Sequence, residues 1–123
     1  MTIMSTVLEV TERRQGPADL LLLKGRMDAA TAPAAEEHLT RLIEGGSRNI
    51  VVDCSELEYI SSAGLRVLLS ALKKLKQCGG HLTLASLLPE IRKVFEIAGF
   101  HRLFAIFPGV SEAIDSTERT QGS

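Results

Sequence analysis

Two adjacent hydroxyl side chains, Ser61 and Ser62, stand directly before a leucine-rich segment in the stretch YISSAGLRVLL. A serine at the start of a helix can accept a hydrogen bond from the unpaired N–H groups of the first turn. A phosphate on such a serine is favoured by the partial positive charge of the helix N-terminus, yet it adds about −1.5 to −2 charges at neutral pH. The pair is therefore interpreted as a helix cap, as a modification site that switches binding, or as both.

A serine nucleophile is a third interpretation of the same pair, and the sequence disfavours it. SSAG lacks the G-x-S-x-G pattern of a nucleophile elbow. His38, His81 and His101 show no arrangement that would supply a general base, and we interpret them as surface or structural histidines. Because no Gly-rich phosphate loop is present, nucleotide binding is also disfavoured. We predict no catalytic residue, no cofactor and no metal, and hence no enzymatic activity.

The composition is typical of one ordinary globular domain. The chain has 123 residues, of which 45% are hydrophobic and 24% charged, and its net charge is −1. It lacks the basic footprint of a nucleic-acid binder and any apolar run near the ~18 residues of a membrane span. The N-terminal segment has no signal-peptide pattern, so a cytoplasmic location is expected. Cys54 and Cys78, which form no CxxC motif, are expected to be free and buried.

Hydrophobic patterning predicts strands that alternate with helices, in the order β-β-α-β-α-β-α-β-α. A hairpin is expected from TVLEVTERR and DLLLLKG, and a strand buried on both faces from NIVVDCS, which ends at Asp53 before a polar loop, SELE. HLTLAS and RLFAIF are the remaining predicted strands. This order indicates an α/β domain with a mixed sheet of four to five strands and about four helices packed on it. The domain is expected to span residues 1–115, followed by a disordered tail over 116–123.

Three blocks of the sequence resemble one known family. The stretch VVDCSELEYISSAGLRVLLSALKKLKQCGGHLTLASL is similar to the signature region of the STAS domain, the fold of bacterial anti-sigma factor antagonists. Upstream, LLLKGRMDAATAPAAEEHL resembles that family's strand, G-x-hydrophobic-Asp turn and first helix. Downstream, VFEIAGFHRLFAIFPGVSEAI resembles its closing segment. The blocks occur in the family's order and spacing and cover about residues 7–115.

The resemblance implies a function in partner switching. In that family, the unphosphorylated antagonist binds an anti-sigma factor that is itself a serine kinase, and this frees the sigma factor. The kinase phosphorylates a serine at the start of the helix after the third strand, and the complex separates. A PP2C-type phosphatase then removes the phosphate. The resemblance thus implies a substrate of this cycle that is not an enzyme, and we expect a monomer or weak dimer.

The family's loop, typically Asp-Ser-Ser-Gly or Asp-Ser-Ala-Gly, can be aligned on Gly64. Ser61 then stands at the position of the Asp, Ser62 at that of the first serine and Ala63 at that of the second. Since Ser62 matches the only serine of Asp-Ser-Ala-Gly members, the resemblance implies phosphorylation at Ser62, with Ser61 as the alternative.

Two carboxylates and one cation are expected to shape this loop or to contact the partner. Asp28 matches the Asp of the G-x-hydrophobic-Asp turn, and Asp53 matches the Asp that ends the third strand. Either carboxylate could accept hydrogen bonds from the N–H groups of the loop, although helix capping is the alternative for Asp28. Arg66 lies one turn into the helix, where it could meet an acidic partner surface or remain a solvated charge.

The resemblance leaves two other functions open. STAS domains also serve as accessory subunits of membrane lipid transporters and as the cytoplasmic tails of anion transporters. With no membrane-spanning segment in the sequence, the tail is excluded but the subunit is not. A stressosome-like or nucleotide-binding scaffold is the other alternative.

Overall fold

The computed structural model describes the backbone of residues 7–122 and the side chains of residues 7–117. One five-stranded sheet has the order β1-β2-β3-β4-β5. The first two strands form an antiparallel hairpin, and β2 to β5 are parallel to one another, which confirms the predicted mixed sheet. The strands are β1 (Leu8–Gln15), β2 (Ala18–Met27), β3 (Asn49–Ile60), β4 (His81–Ala85) and β5 (Ala105–Phe107).

Three helices connect the parallel strands, a fourth follows the last strand, and together they cover both faces of the sheet. They are α1 (Ala32–Glu44), α2 (Ser62–Gln77), α3 (Pro89–Ile97) and α4 (Val110–Gly122), and a short 3₁₀ turn, Phe100–Arg102, follows α3. The buried residues of α1, α2 and α3 share one core cluster, as expected when successive crossovers have the same hand. The buried residues of α4 belong to a second, smaller cluster on the other face.

The start of β3 is buried on both faces, as its sequence predicts. Ile50 and Val52 pack in the larger cluster with α1 and α2, whereas Val51 packs in the smaller cluster with α4. All three are inaccessible to solvent. Because neighbouring residues of a strand point to opposite faces, such a two-sided core needs a continuous apolar run rather than an alternating one.

Two predicted strand boundaries are wrong. The polar segment Ser55–Glu58, which was predicted as a loop, continues β3. Strand β4 ends earlier, but β2 pairs with β3 as far as Ile60. Leu57 within that segment is fully buried. The last strand is shorter than predicted, since only Ala105–Phe107 pairs with β4. Phe104 before it is buried instead against Phe95, in an edge-to-face contact with ring centroids 5.7 Å apart.

The two free cysteines differ in their surroundings. Cys54 is buried in the larger core cluster, and desolvation raises the pKa of its thiol to about 12, with a further contribution from Asp53. Cys78 is exposed, so the prediction that both thiols are buried is wrong for this residue. It lies at the C-terminal end of α2, outside the leucine stripe that packs on the sheet.

Helix α4 extends past residue 115, the end of the domain predicted from the sequence. Helix α4 runs from Val110 to Gly122, and Thr117 within it is buried. The Asn49 amide donates a hydrogen bond of 2.8 Å to the Thr117 hydroxyl, which donates in turn to the Ile114 carbonyl at 2.8 Å. Because the end of α4 is polar, the sequence pattern does not predict this contact with β3. Of the tail predicted over 116–123, Ser123 and the side chains from residue 118 onward lie outside the described residues.

The first turn of α2 lies closely against the ends of β2 and β3. A Cβ atom on Gly64 would stand 2.7 Å from Cγ1 of Ile60 and 3.1 Å from the carbonyl oxygen of Met27. The N–H group of Ser61 donates to that same carbonyl at 2.9 Å. Only a residue without a side chain permits this close approach of α2 to the two strands.

We expect Gly64→Ala to lower the free energy of unfolding by about 1–3 kcal/mol, the usual cost of overpacking a tight contact. Urea denaturation measures this loss. Gly109→Ala is the matched control, because its added methyl group would meet only the flexible carboxylate end of Glu112. Equal losses in the two variants would contradict the close approach of α2.

Replacement of Thr117 by valine tests the order of α4 beyond residue 115. The variant keeps the shape of the side chain but leaves the buried amide of Asn49 without its acceptor, and we expect a loss of about 1–3 kcal/mol. Ser111→Ala, at an exposed position of α4, should change stability by less than about 0.5 kcal/mol. Wild-type stability in Thr117→Val would show that this contact does not contribute to the fold.

Candidate phosphorylation and partner-binding site

Ser61 is held in place by both its backbone and its side chain. It is the N-cap of α2 in an extended conformation, with φ −95° and ψ 176°. Its hydroxyl accepts a hydrogen bond from the N–H group of Gly64 at 3.3 Å, and its carbonyl accepts one from Leu65 at 3.0 Å. Together with the bond from its N–H group to Met27, these contacts assign to Ser61 the capping function that the sequence predicted for one of the two serines.

Ser62 is the first residue of α2, and its side chain is exposed. Within residues 7–117, no hydrogen bond involves its hydroxyl, and no histidine is hydrogen-bonded to either serine. The first turn of α2 contains no acidic side chain that would repel an anion. A phosphate at Ser62 would therefore meet the positive end of the helix dipole without displacing a hydrogen bond of the fold.

A groove of about 540 Å³ lies between α1 and α2, and its lining on α2 begins at Ala63, the residue after the two serines. Ala63, which is half-buried, contributes to its lining, as does Arg66, which is exposed one turn after Ser62. The lining is mainly of small and apolar residues, with three charged side chains among them: Glu36, Arg66 and Lys73. Such a surface offers a partner apolar contact area together with charges that can orient it.

Asp28 stabilises the turn that leads from β2 into α1. Its carboxylate accepts hydrogen bonds from the N–H groups of Ala30 at 3.0 Å and Thr31 at 3.1 Å. The Asp28 N–H group donates to the Thr31 hydroxyl at 2.9 Å. The hydrogen bond from the Thr31 backbone is the largest cause that lowers the pKa of the Asp28 carboxyl. Asp28 thus shapes its own turn, which adjoins the serine loop through Met27, and makes no hydrogen bond with the loop itself.

Asp53 lies far from the serine loop, contrary to the sequence prediction. Its carboxylate accepts a hydrogen bond from the N–H group of Ser55 at 3.0 Å. The strand does not end there but continues to Ile60, a path on the order of 20 Å along an extended chain. Asp53 therefore does not shape the loop by hydrogen bonding, and a contact of its carboxylate with a partner stays a prediction.

Three contacts around the loop have no local signal in the sequence. The Met27 carbonyl and the Ile60 side chain hold the first turn of α2, as described above. In addition, the guanidinium carbon of Arg26 lies 4.2 Å from the ring centroid of Tyr59, close enough for a cation–π interaction. Arg26 and Tyr59 are neighbours only because the parallel register of β2 and β3 pairs them.

In the part of the chain that the structure describes, no group of three or more His, Cys, Asp or Glu side chains could hold a metal ion. No described helix combines the length and the apolar character that a membrane span requires.

Comparison with known proteins identifies relatives along most of the chain. A family model described as STAS domain matches residues 10–113. The putative anti-sigma factor antagonist BtrV of Bordetella bronchiseptica is 44% identical over 84 residues, which cover 68% of this chain and 72% of that protein. The anti-sigma-B factor antagonist of Staphylococcus aureus is 33% identical over 85 residues, 69% of this chain and 79% of the relative.

Solved structures of similar proteins show the same fold. An anti-sigma factor antagonist from Mycobacterium paratuberculosis aligns with a TM-score of 0.82 at 22% identity, over 89% of this chain and 92% of its own. SpoIIAA in its unphosphorylated form aligns with a TM-score of 0.78 at 21% identity, over 94% and 98% of the two chains. Given these matches along the sequence and the fold, the chain belongs to the STAS domain family.

Proposed function

We propose that this chain is an anti-sigma factor antagonist that binds an anti-sigma factor of the serine-kinase type in the bacterial cytoplasm. Phosphorylation of Ser62 by that kinase ends the complex, and a PP2C-type phosphatase restores the binding form. The chain acts in this cycle as a partner and a substrate, not as an enzyme. The names of its relatives from Bordetella bronchiseptica and Staphylococcus aureus support the first part of the proposal.

The single observation that supports the proposed switch is that the hydroxyl groups of the two serines have different surroundings. Ser61 caps α2, whereas Ser62 exposes a hydroxyl that the fold does not use. A phosphate on Ser62 would therefore change the charge of the surface without removing a bond that stabilises the domain. Phosphorylation of Ser61 would instead alter a half-buried cap and the turn that depends on it.

The physical effect of a phosphate at Ser62 is an electrostatic one at the partner interface. It adds about −1.5 to −2 charges next to the groove between α1 and α2, so a partner that docks there meets repulsion and a desolvation cost. Arg66, four residues later on the same helix, stands at the spacing at which side chains of a helix become neighbours. Its guanidinium can stabilise the phosphate in the free protein, which opposes return to the complex.

A related pair of structures is consistent with such a switch. SpoIIAA has been solved in an unphosphorylated and in a phosphorylated form, and this chain aligns with the two at TM-scores of 0.78 and 0.69. For that protein, phosphorylation is thus compatible with a folded domain. We transfer the modification to Ser62 because of the exposure of its hydroxyl.

Alanine variants should separate the capping serine from the exposed one. We expect Ser61→Ala to lower the free energy of unfolding by about 1 kcal/mol, since it removes the N-cap oxygen of α2. Ser62→Ala should change it by less than about 0.5 kcal/mol, because its hydroxyl is exposed. Urea denaturation of the two variants measures the difference. The reverse order of stabilities would place the cap at Ser62 and the modification at Ser61.

Phosphorylation is tested on the protein purified from its own source organism. We expect intact-mass analysis and site mapping to find one phosphate at Ser62, which the Ser62→Ala variant lacks. A phosphate at Ser61 would support the same phosphorylation switch and would show that Ser61, not Ser62, is the modified residue. A single unmodified species under all growth conditions would contradict the switch.

Binding is tested by recovery of the partner from the same organism. Ser62→Ala should retain a serine-kinase-type anti-sigma factor, and Ser62→Glu should bind it at least about tenfold more weakly, because a carboxylate supplies part of the phosphate's charge. Ser111→Ala, at an exposed position of α4, is the control and should bind as the wild type does. Recovery of a membrane permease in place of the kinase would favour the transporter-subunit function instead.

A further inference from the structure

Strand β1 is a long edge of the sheet, and no strand among residues 7–122 pairs with its outer side. It pairs with β2 over eight residues, Leu8–Gln15, and the sheet ends there. The opposite edge, β5, has only three residues. An edge strand presents unpaired N–H and C=O groups that another strand can use, and proteins usually protect such edges with charged side chains. The charges on β1 therefore decide what can pair with it.

The side chains of β1 divide between the two faces of the sheet. Leu8 and Val10 are half-buried and pack on the larger core cluster, beside α1. Glu12 points to the same side, where it contacts His38 and Arg41 of α1. Because alternate residues of a strand face opposite sides, Glu9, Thr11 and Arg13 point away from α1. All three are exposed.

We call the face of β1 that points away from α1 the outer face. Its two charged residues have no ion-pair partners among residues 7–117. Glu9 and Arg13 are of opposite sign and lie symmetrically about Thr11. Lys24 stands opposite Glu9 in the hairpin, but its ammonium group lies 4.0 Å from the carboxylate of Glu56. Leu20, opposite Arg13, carries no charge. The edge thus displays one free anion and one free cation on either side of a β-branched residue.

We propose that β1 is a self-pairing edge, at which a second copy of this chain adds its own β1 in the antiparallel direction. In the proposed register Thr11 lies opposite Thr11 of the second copy. Each Glu9 then stands directly opposite the second copy's Arg13, so two cross-strand ion pairs form on the face away from α1. Opposite charges in such positions are stabilising, and β-branched pairs fit them well. This proposal does not depend on the function proposed for Ser62.

Other registers of the same pairing are less favourable. When a two-fold axis perpendicular to the sheet relates the two copies, residues that pair directly must lie on the same face of the sheet. One residue of β1 then lies opposite the same residue of the second copy, and the axis passes between these two residues. Centring on Glu9, Glu12 or Arg13 would place like charges directly opposite each other. Centring on Val10 would leave Glu9 opposite threonine. Of these registers, the one centred on Thr11 alone pairs every charge of the outer face with its opposite.

The resulting dimer is expected to be weak and sensitive to salt. One pair of eight-residue strands buries less surface than a standard protein interface, and exposed ion pairs are screened by salt. Sedimentation equilibrium at concentrations up to about 1 mM should detect a monomer–dimer equilibrium in about 0.05 M salt. The association constant should fall when the salt concentration is raised to about 0.5 M.

Charge reversal tests the register directly. Glu9→Arg and Arg13→Glu each create two like-charge pairs, and each should weaken self-association by about tenfold or more. An equimolar mixture of the two variants should form a heterodimer of wild-type strength, because the first then supplies two cations and the second two anions. Lys93→Glu, an exposed charge on α3, is the matched control and should leave association unchanged. Urea denaturation verifies that every variant is folded.

Three results would overturn the proposal. The first is a wild-type protein that remains monomeric over the whole concentration range. The second is a dimer whose strength is unchanged in both reversed variants, since the second copy would then dock elsewhere. The third is a mixture of the two variants that fails to associate although each is folded.

Discussion

The close approach of α2 to the ends of β2 and β3 is the constraint on which the candidate site depends. The Met27 carbonyl accepts the N–H group of Ser61, and Gly64 has no Cβ atom to hold the helix away from Ile60. This contact determines where α2 begins, and therefore which serine is the cap and which is the first helical residue. A shift of the helix by one residue would exchange the environments of the two hydroxyls.

A modification site in a small domain must change binding without unfolding the protein. Net stabilities are only about 5–15 kcal/mol, so a phosphate that removed a cap and met a half-buried surface would cost a significant part of that margin. In the proposed function the two requirements fall on different side chains. Ser61 contributes to stability, and Ser62 is available to a kinase. The helix dipole and Arg66 can stabilise the charge that a phosphate adds there.

The sheet separates three surfaces. Its C-terminal strand ends and the groove between α1 and α2 form the candidate partner site, whereas α4 covers the opposite face and is anchored to β3 through Asn49 and Thr117. The outer edge of β1 is the third surface. In our two proposals, a second copy and an anti-sigma factor would therefore occupy different surfaces, so that self-association at the edge need not compete with partner switching.

The sequence by itself determined the order of elements, the hairpin, the mixed sheet, the two-faced core of β3 and the position of a helix start at the double serine. These depend on periodicity, turn residues and capping, which are local properties. Only the tertiary structure decided that Asp28 shapes its own turn and that Asp53 lies far from the serine loop. The same holds for the pairing of Arg26 with Tyr59, for the extension of β3 to Ile60 and for the contact of Thr117 with Asn49. Each of these depends on strand register or on contacts between residues distant in the chain, and a local pattern does not encode such pairings.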